Sequence, residues 1–246
     1  ESVSKHGVGP DTQARDAAGP QLAPGNTDTT SGRLTSDTVA DSSPSLTGQR
    51  GNYTAVWSRQ DPAKNVTDGR DIFVATADGS SWSEPQHLTD DRKVDVRPDV
   101  TTASDGKIAV WARVDESYTR EEIQALEDPT AVLGELDIAV ATASNGTWSG
   151  PTLLTNNSVL DTEPTVVTSG DRTLLTWVRD TDGDIDTTGD RQTAYALYDD
   201  GALSDIRTLN TTAVATSEAP DGDLRVAYAN GTTVVTGRVA ADGTLT

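Results

Sequence analysis

Pro98-Asp-Val-Thr-Thr-Ala-Ser-Asp-Gly-Lys-Ile-Ala-Val-Trp-Ala-Arg113 decides how this chain is read. It runs from a proline-led extended segment through a Ser104-Asp-Gly106 turn into Ile108–Arg113, whose β-branched and aromatic residues read as a strand. The offset of thirteen residues from proline to tryptophan recurs at Pro44/Trp57 and Pro164/Trp177. An arginine follows two positions after each tryptophan: Arg59, Arg113 and Arg179. Spacing held across three copies marks one supersecondary unit used repeatedly.

Outward from that stretch, each unit continues with a third apolar segment, Asp71-Ile-Phe-Val-Ala-Thr76 or Asp137-Ile-Ala-Val-Ala-Thr142. A Gly-containing turn then leads to Trp82-Ser-Glu-Pro-Gln-His-Leu-Thr89, matched by Trp148–Thr155 and Leu203–Asn210. Four short strands in about 50–65 residues are the size of a propeller blade. The expected fold is therefore all-β, a β-propeller of four-stranded blades over 44–89, 98–155, 164–210 and 219–246. Trp57, Trp111 and Trp177 are expected to be buried between neighbouring sheets. In the fourth unit Tyr228 replaces tryptophan and Asn230 replaces arginine. That unit ends where an outer strand is due, and Leu34 precedes Pro44 by the ten residues that separate Leu88 from Pro98. Residues 33–36 are thus expected to complete the last blade, unless the four blades belong to a larger propeller. Residues 1–29 lack hydrophobic period and read as an extended arm or linker.

The Asp105-Gly-Lys-Ile-Ala-Val110 and Asp137-Ile-Ala-Val-Ala-Thr142 segments resemble the blade repeat of TolB-like propellers. The Trp-Ser-x-Pro-x-x-Leu-Thr endings resemble sialidase-like propellers, with the Asp-box half kept: Thr76-Ala-Asp-Gly-Ser-Ser-Trp82 lacks a residue between Asp78 and Gly79. The resemblance covers about residues 33–246. It implies architecture and says little about activity. In sialidases an arginine cluster grips the substrate carboxylate, and the resemblance sets Arg59, Arg113 and Arg179 beside that role. However, Asp71 and Asp137 return near the first two, and the fourth unit lacks both arginine and aspartate. Structural cross-strand ion pairs are the expectation, Arg59 with Asp71, Arg113 with Asp137, and Arg179 with a residue near Asp190. A sialidase would also need a tyrosine nucleophile beside a carboxylate. No spacing singles out one of Tyr53, Tyr118, Tyr195, Tyr198 and Tyr228 for that task.

Acidic residues number 39 against 19 basic, giving a net charge of −20, and 30 of the 39 are Asp. Nucleic acid and anionic membrane surfaces have the wrong sign as partners. Such an Asp-rich, Lys-poor chain reads as adapted to high salt, where the Debye length shrinks to about 3 Å at 1 M and carboxylate repulsion is screened. No apolar run is long enough for membrane insertion. Six of eight asparagines lie in Asn-x-Ser/Thr: Asn52, Asn65, Asn145, Asn156, Asn210 and Asn230. Chance predicts about two, so the chain reads as an extracellular or cell-surface glycoprotein, starting at Glu1 as a mature or excised product would.

With only His6 and His87, and no cysteine, a thiolate metal site is excluded and a Ser-His-Asp triad is not expected. Asp180, Asp182, Asp184 and Asp186 alternate around Gly183, and hard carboxylate oxygens at that spacing suit Ca²⁺. Thr119 and Glu122 form a capping box that predicts a short helix before Pro129. The function these features favour is a non-enzymatic adhesive or structural module, such as a surface-layer or filament component. Its partners would be other surface proteins or glycans, with self-association by strand exchange. The alternative is a sialidase-like glycoside hydrolase or a lectin of the same shape.

Overall fold

The computed structural model describes residues 34–60, 69–116, 118, 120–125, 134–182, 187–219 and 221–246. The first blade comprises β1 (Asp41–Gln49), β2 (Asn52–Gln60), β3 (Arg70–Asp78) and β4 (Gln86–His87). The second has β5 (Val94–Ala103), β6 (Gly106–Val114), α1 (Arg120–Ala125), β7 (Leu136–Ser144), β8 (Thr147–Trp148) and β9 (Thr152–Leu153). The third has β10 (Leu160–Ser169), β11 (Arg172–Asp180), β12 (Gln192–Asp199), β13 (Ala202–Leu203) and β14 (Arg207–Leu209). The fourth has β15 (Val214–Glu218), β16 (Leu224–Asn230) and β17 (Thr233–Val239). Strands within each blade pair antiparallel, with β8 and β9 both on β7 and β13 and β14 both on β12, and a single parallel bridge, Arg70↔Val94, links the first blade to the second. The short helix falls where the capping box places it.

Turn chemistry sets the hairpins. Asn145-Gly146 and Asp200-Gly201 both carry positive φ at their two central residues, 51° and 81° in one, 42° and 87° in the other. This is the twist-compatible geometry of tight hairpins, which Asn-Gly and Asp-Gly adopt most readily. Gly106 serves a different need: a Cβ there would sit 1.7 Å from the Ala143 carbonyl oxygen, so only glycine lets β6 lie so close to β7.

The core lies between blades. One cluster joins Val56, Ile72, Val74 and Leu88 of the first blade to Val100 and Trp111 of the second. Another joins Ile108, Val110 and Val140 to Leu175, Trp177 and Tyr198 of the third. A third joins Leu174 and Tyr195 to Leu224, Val226 and Val239 of the fourth. Trp111 and Trp177 are thus buried between blades as expected. Trp57 occupies the matching position on the first blade, where Leu34 and Trp82 pack against its cluster. Leu88 and Leu154 hold the corresponding places beside Trp111 and Trp177. Leu34 therefore acts toward Trp57 as the outer-strand leucine of a preceding blade.

Two boundaries differ from expectation. Residues 34–36 do not complete the fourth blade, whose outer position is filled from its own chain: Leu245 bridges Val239, and Arg238 and Thr246 exchange backbone bonds of 2.8 and 2.9 Å. No hydrophobic cluster among the described residues contains members of both the first and fourth blades. The fourth blade also starts at Val214, not at residue 219. Pro220 mimics the joint prolines in sequence, but Asp221-Gly222 marks the β15–β16 hairpin as Asp105-Gly106 marks the β5–β6 hairpin.

Candidate functional site at the blade joints

The inner strands of the first three blades carry an aspartate at their first or second residue, three residues ahead of the proline: Asp41, Asp95 and Asp161. These aspartates stand opposite Arg59, Arg113 and Arg179 in the β-ladder. The tryptophan of each unit donates its indole N–H to the same aspartate, Trp57 to Asp41 at 3.0 Å, Trp111 to Asp95 at 2.6 Å and Trp177 to Asp161 at 2.8 Å. The arginine closes on it from the neighbouring strand. Arg179 does so bidentately, Nε and Nη2 each at 2.8 Å from Asp161. Arg59 pairs with Asp37 and Asp41, and Arg113 with Asp91, Asp95 and Asp115. One Asp-Trp-Arg unit thus repeats at the same end of three blades, and the fourth blade lacks the tryptophan and the arginine.

The ion pairs are real, but their partners differ from the sequence expectation. Arg113 and Asp137 face each other across β6 and β7, yet no ion pair joins them. Asp137 instead accepts from Thr155 Oγ1 at 2.9 Å and Asn157 N at 3.3 Å. Arg179 stands opposite Gln192 and turns to Asp161, and Arg59, opposite Asp71, closes on Asp37 and Asp41. Each arginine sits on the middle strand with a polar residue on both flanks. Only Arg179 closes tightly on the inner-strand carboxylate; Arg59 and Arg113 lie 3.5 Å from theirs and pair more closely with Asp37 and Asp91 just before those strands. The missed signal was the fixed Asp-to-Pro offset, masked by the abundance of aspartate.

The two inner joints, Leu88–Asp95 and Leu154–Asp161, differ at five positions, one of which faces the buried aspartate. Asn157 in the joint between second and third blades corresponds to Asp91 in the joint between first and second. Its amide donates to Asp161 Oδ2 at 3.2 Å. In the earlier joint Asp95 is fully buried and its Oδ2 has no hydrogen-bond partner. Burial pushes the Asp95 pKa up to about 7, against the opposing pull of Arg113.

The inner strands carry a further regularity. Ser43, Arg97 and Glu163, each just before the joint proline, have φ of 51–54° and mark a β-bulge. Non-glycine residues there are uncommon, and a bulge re-aims a side chain out of the pleat. Arg97 and Glu163 pair across two blades at 2.7 Å. Asp99 ties three inner strands, accepting from Ser45 Oγ at 2.6 Å and Val166 N at 2.8 Å.

Tyr118 donates its hydroxyl to Glu135 in the long loop after β6. This is the tyrosine–carboxylate pair that spacing alone did not single out, because the loop brings the residues together. Burial, then Glu135, pushes the Tyr118 pKa up to about 12.

Among the described residues, three groups of side chains place carboxylate or imidazole ligand atoms within 4.8 Å of one another: Asp71, His87, Asp90; Asp71, Asp91, Asp95; and Asp180, Asp182, Asp190. The second already contains the Arg113 guanidinium, and His87 stacks on Phe73 with ring centroids 4.1 Å apart. Asp184 and Asp186 lie outside the described residues. Five sequon asparagines, Asn52, Asn145, Asn156, Asn210 and Asn230, are exposed, and Asn65 lies outside the described residues.

Among solved structures the chain is similar to a family 117 glycoside hydrolase of the marine bacterium Zobellia galactanivorans, at TM-score 0.50 and 13% identity over 84% of this chain and 68% of that one. It is similar also to Trypanosoma rangeli sialidase, at TM-score 0.53 and 12% identity over 85% and 38% of the two chains. An α-L-arabinofuranosidase from Lactobacillus brevis matches at TM-score 0.51 and 15% identity over 83% and 74%. The fold shared with these structures is the β-propeller. No protein-family model and no curated protein matches the sequence. At these identities the likeness extends to the propeller alone, and the chain spans well under half of the sialidase.

Proposed function

We propose that the chain is a neutral-glycan-binding propeller module displayed at a cell surface or in the extracellular medium. The observation that carries this reading is the closure of Arg59, Arg113 and Arg179 onto aspartates of their own blades. Guanidinium groups held in this way, in a chain of net charge −20, are poorly disposed to grip an anionic sugar. Support for a carbohydrate ligand comes from the structural neighbours, which are glycoside hydrolases and sialidases. The exposed sequons support an extracellular setting, in which surface-layer or filament assembly is a compatible role. A glycan array with the whole chain in high salt tests the reading. Saturable binding to neutral oligosaccharides over sialylated ones is expected. Preference for sialylated glycans, or no glycan binding, would overturn it.

One observation favours hydrolysis as the second reading. Tyr118 and Glu135 pair as a nucleophile and a proton acceptor would. Release of aryl alcohol from aryl glycosides, abolished by Tyr118→Phe, would move the assignment from binding module to enzyme.

A further inference from the structure

Asp180 closes β11 with its side chain fully buried. Its Oδ2 accepts from Arg191 Nε at 2.8 Å, while its Oδ1 is buried with no hydrogen-bond partner. An unmatched buried carboxylate oxygen is costly. Asp182 and Asp190 bring one oxygen each to the same place, all within 4.8 Å of one another. Two oxygens on opposite sides of a Ca²⁺ ion would be about 4.8 Å apart, because Ca–O distances are roughly 2.4 Å.

The site is ordered by its own backbone. Asp190 Oδ2 accepts from Thr181 N, Thr181 Oγ1 and Asp182 N, each at 3.0 Å. These donors fix one ligand, and Thr187 Oγ1 adds long contacts to Asp190 Oδ1 at 3.4 Å and to the Asp182 oxygens at 3.3–3.4 Å, leaving Asp180 Oδ1 as the unmatched atom. Three carboxylates meet one guanidinium, Arg191, so the local charge is negative. The blade repeat does not require the cluster: the residue after the joint arginine is Gln60 in the first blade and Val114 in the second.

We propose that Asp180, Asp182 and Asp190 bind a calcium ion, with waters completing its shell. The donor set is entirely oxygen, which hard divalent cations take and softer metals do not favour. It shares Asp180 and Asp182 with the alternating aspartates that the sequence marks, and adds Asp190 from across the loop. The ion would supply the partner that Asp180 Oδ1 lacks and tie the end of β11 to the start of β12.

The test is calorimetric titration of the chelator-treated chain with CaCl₂ in high salt. Saturable binding is expected at about 0.1–1 mM, the range of extracellular modules. Asp182→Asn changes an exposed residue and should weaken binding at least tenfold with the circular dichroism spectrum unchanged. Asp190→Asn should do the same, and Asp221→Asn, on the fourth blade, should leave binding intact. Absence of saturable Ca²⁺ binding by the wild type overturns the proposal. Equal affinity in the wild type and Asp182→Asn also overturns it.

Discussion

At the scale of single residues, the Asp-Trp-Arg unit shows how a polar cluster can be tolerated in a blade joint. Arg113 is 4% exposed and faces three aspartates, one of them fully buried. Removing it would leave those carboxylates uncompensated, so Arg113→Ala is expected to destabilise the chain by about 3–5 kcal/mol. Arg225→Ala, which breaks half-exposed pairs with Asp221 and Asp223, should cost under about 1 kcal/mol. Urea unfolding of both variants measures the contrast. Asp95 supplies a pH signature. Burial moves its pKa up to about 7, whereas an ordinary aspartate carboxyl loses its proton near 3.8. Between those values the native state binds more protons than the unfolded one, so this residue's contribution declines as pH rises. Asp95→Asn should therefore flatten the fall in melting temperature between pH 4 and 7 relative to wild type. The tryptophans of the unit were legible in the sequence because the chain has only five, and the arginines because each stands two residues after one of them. The aspartates were not: among 30, three at a constant offset do not stand out until the ladder places them opposite arginine.

At the scale of elements, the strands and hairpins followed from alternation and turn residues, and the blade order from the repeat. What failed was the join between units. The Leu34 spacing correctly marks an outer-strand leucine that covers a tryptophan, but covering Trp57 does not require pairing with β17. Hydrophobic spacing records which faces are buried, while strand pairing depends on backbone placement that side-chain pattern does not encode. The Tyr118–Glu135 contact escaped for a related reason, since a long loop closes it. The joints themselves are testable. Asn157→Asp would give the second joint the acidic residue of the first and would remove the amide that donates to Asp161 Oδ2. Arg179 Nη2 still donates to that oxygen, so destabilisation of about 1 kcal/mol is expected, from one lost donor and a carboxylate brought beside Asp161, and high salt should recover part of it. Thermal melts at two salt concentrations would read both effects.

At the scale of the molecule, surface charge and blade stacking oppose each other. Apolar clusters hold each blade to the next, while a net charge of −20 pushes the arc apart. Raising salt from 0.1 to 1 M shortens the Debye length from about 10 to 3 Å, so the melting temperature should climb steeply over that interval. A flat profile in scanning calorimetry would show that the acidic surface carries little repulsion.

Each described sheet is woven from one contiguous run of chain, down to Leu245 lying beside β17. Nothing has to be threaded through a neighbour, so a gene segment encoding one blade could be copied or excised without leaving a torn sheet behind. Growth of such a protein would resemble adding pages to a fan, with each new page needing only a leucine and a tryptophan face to settle against the last.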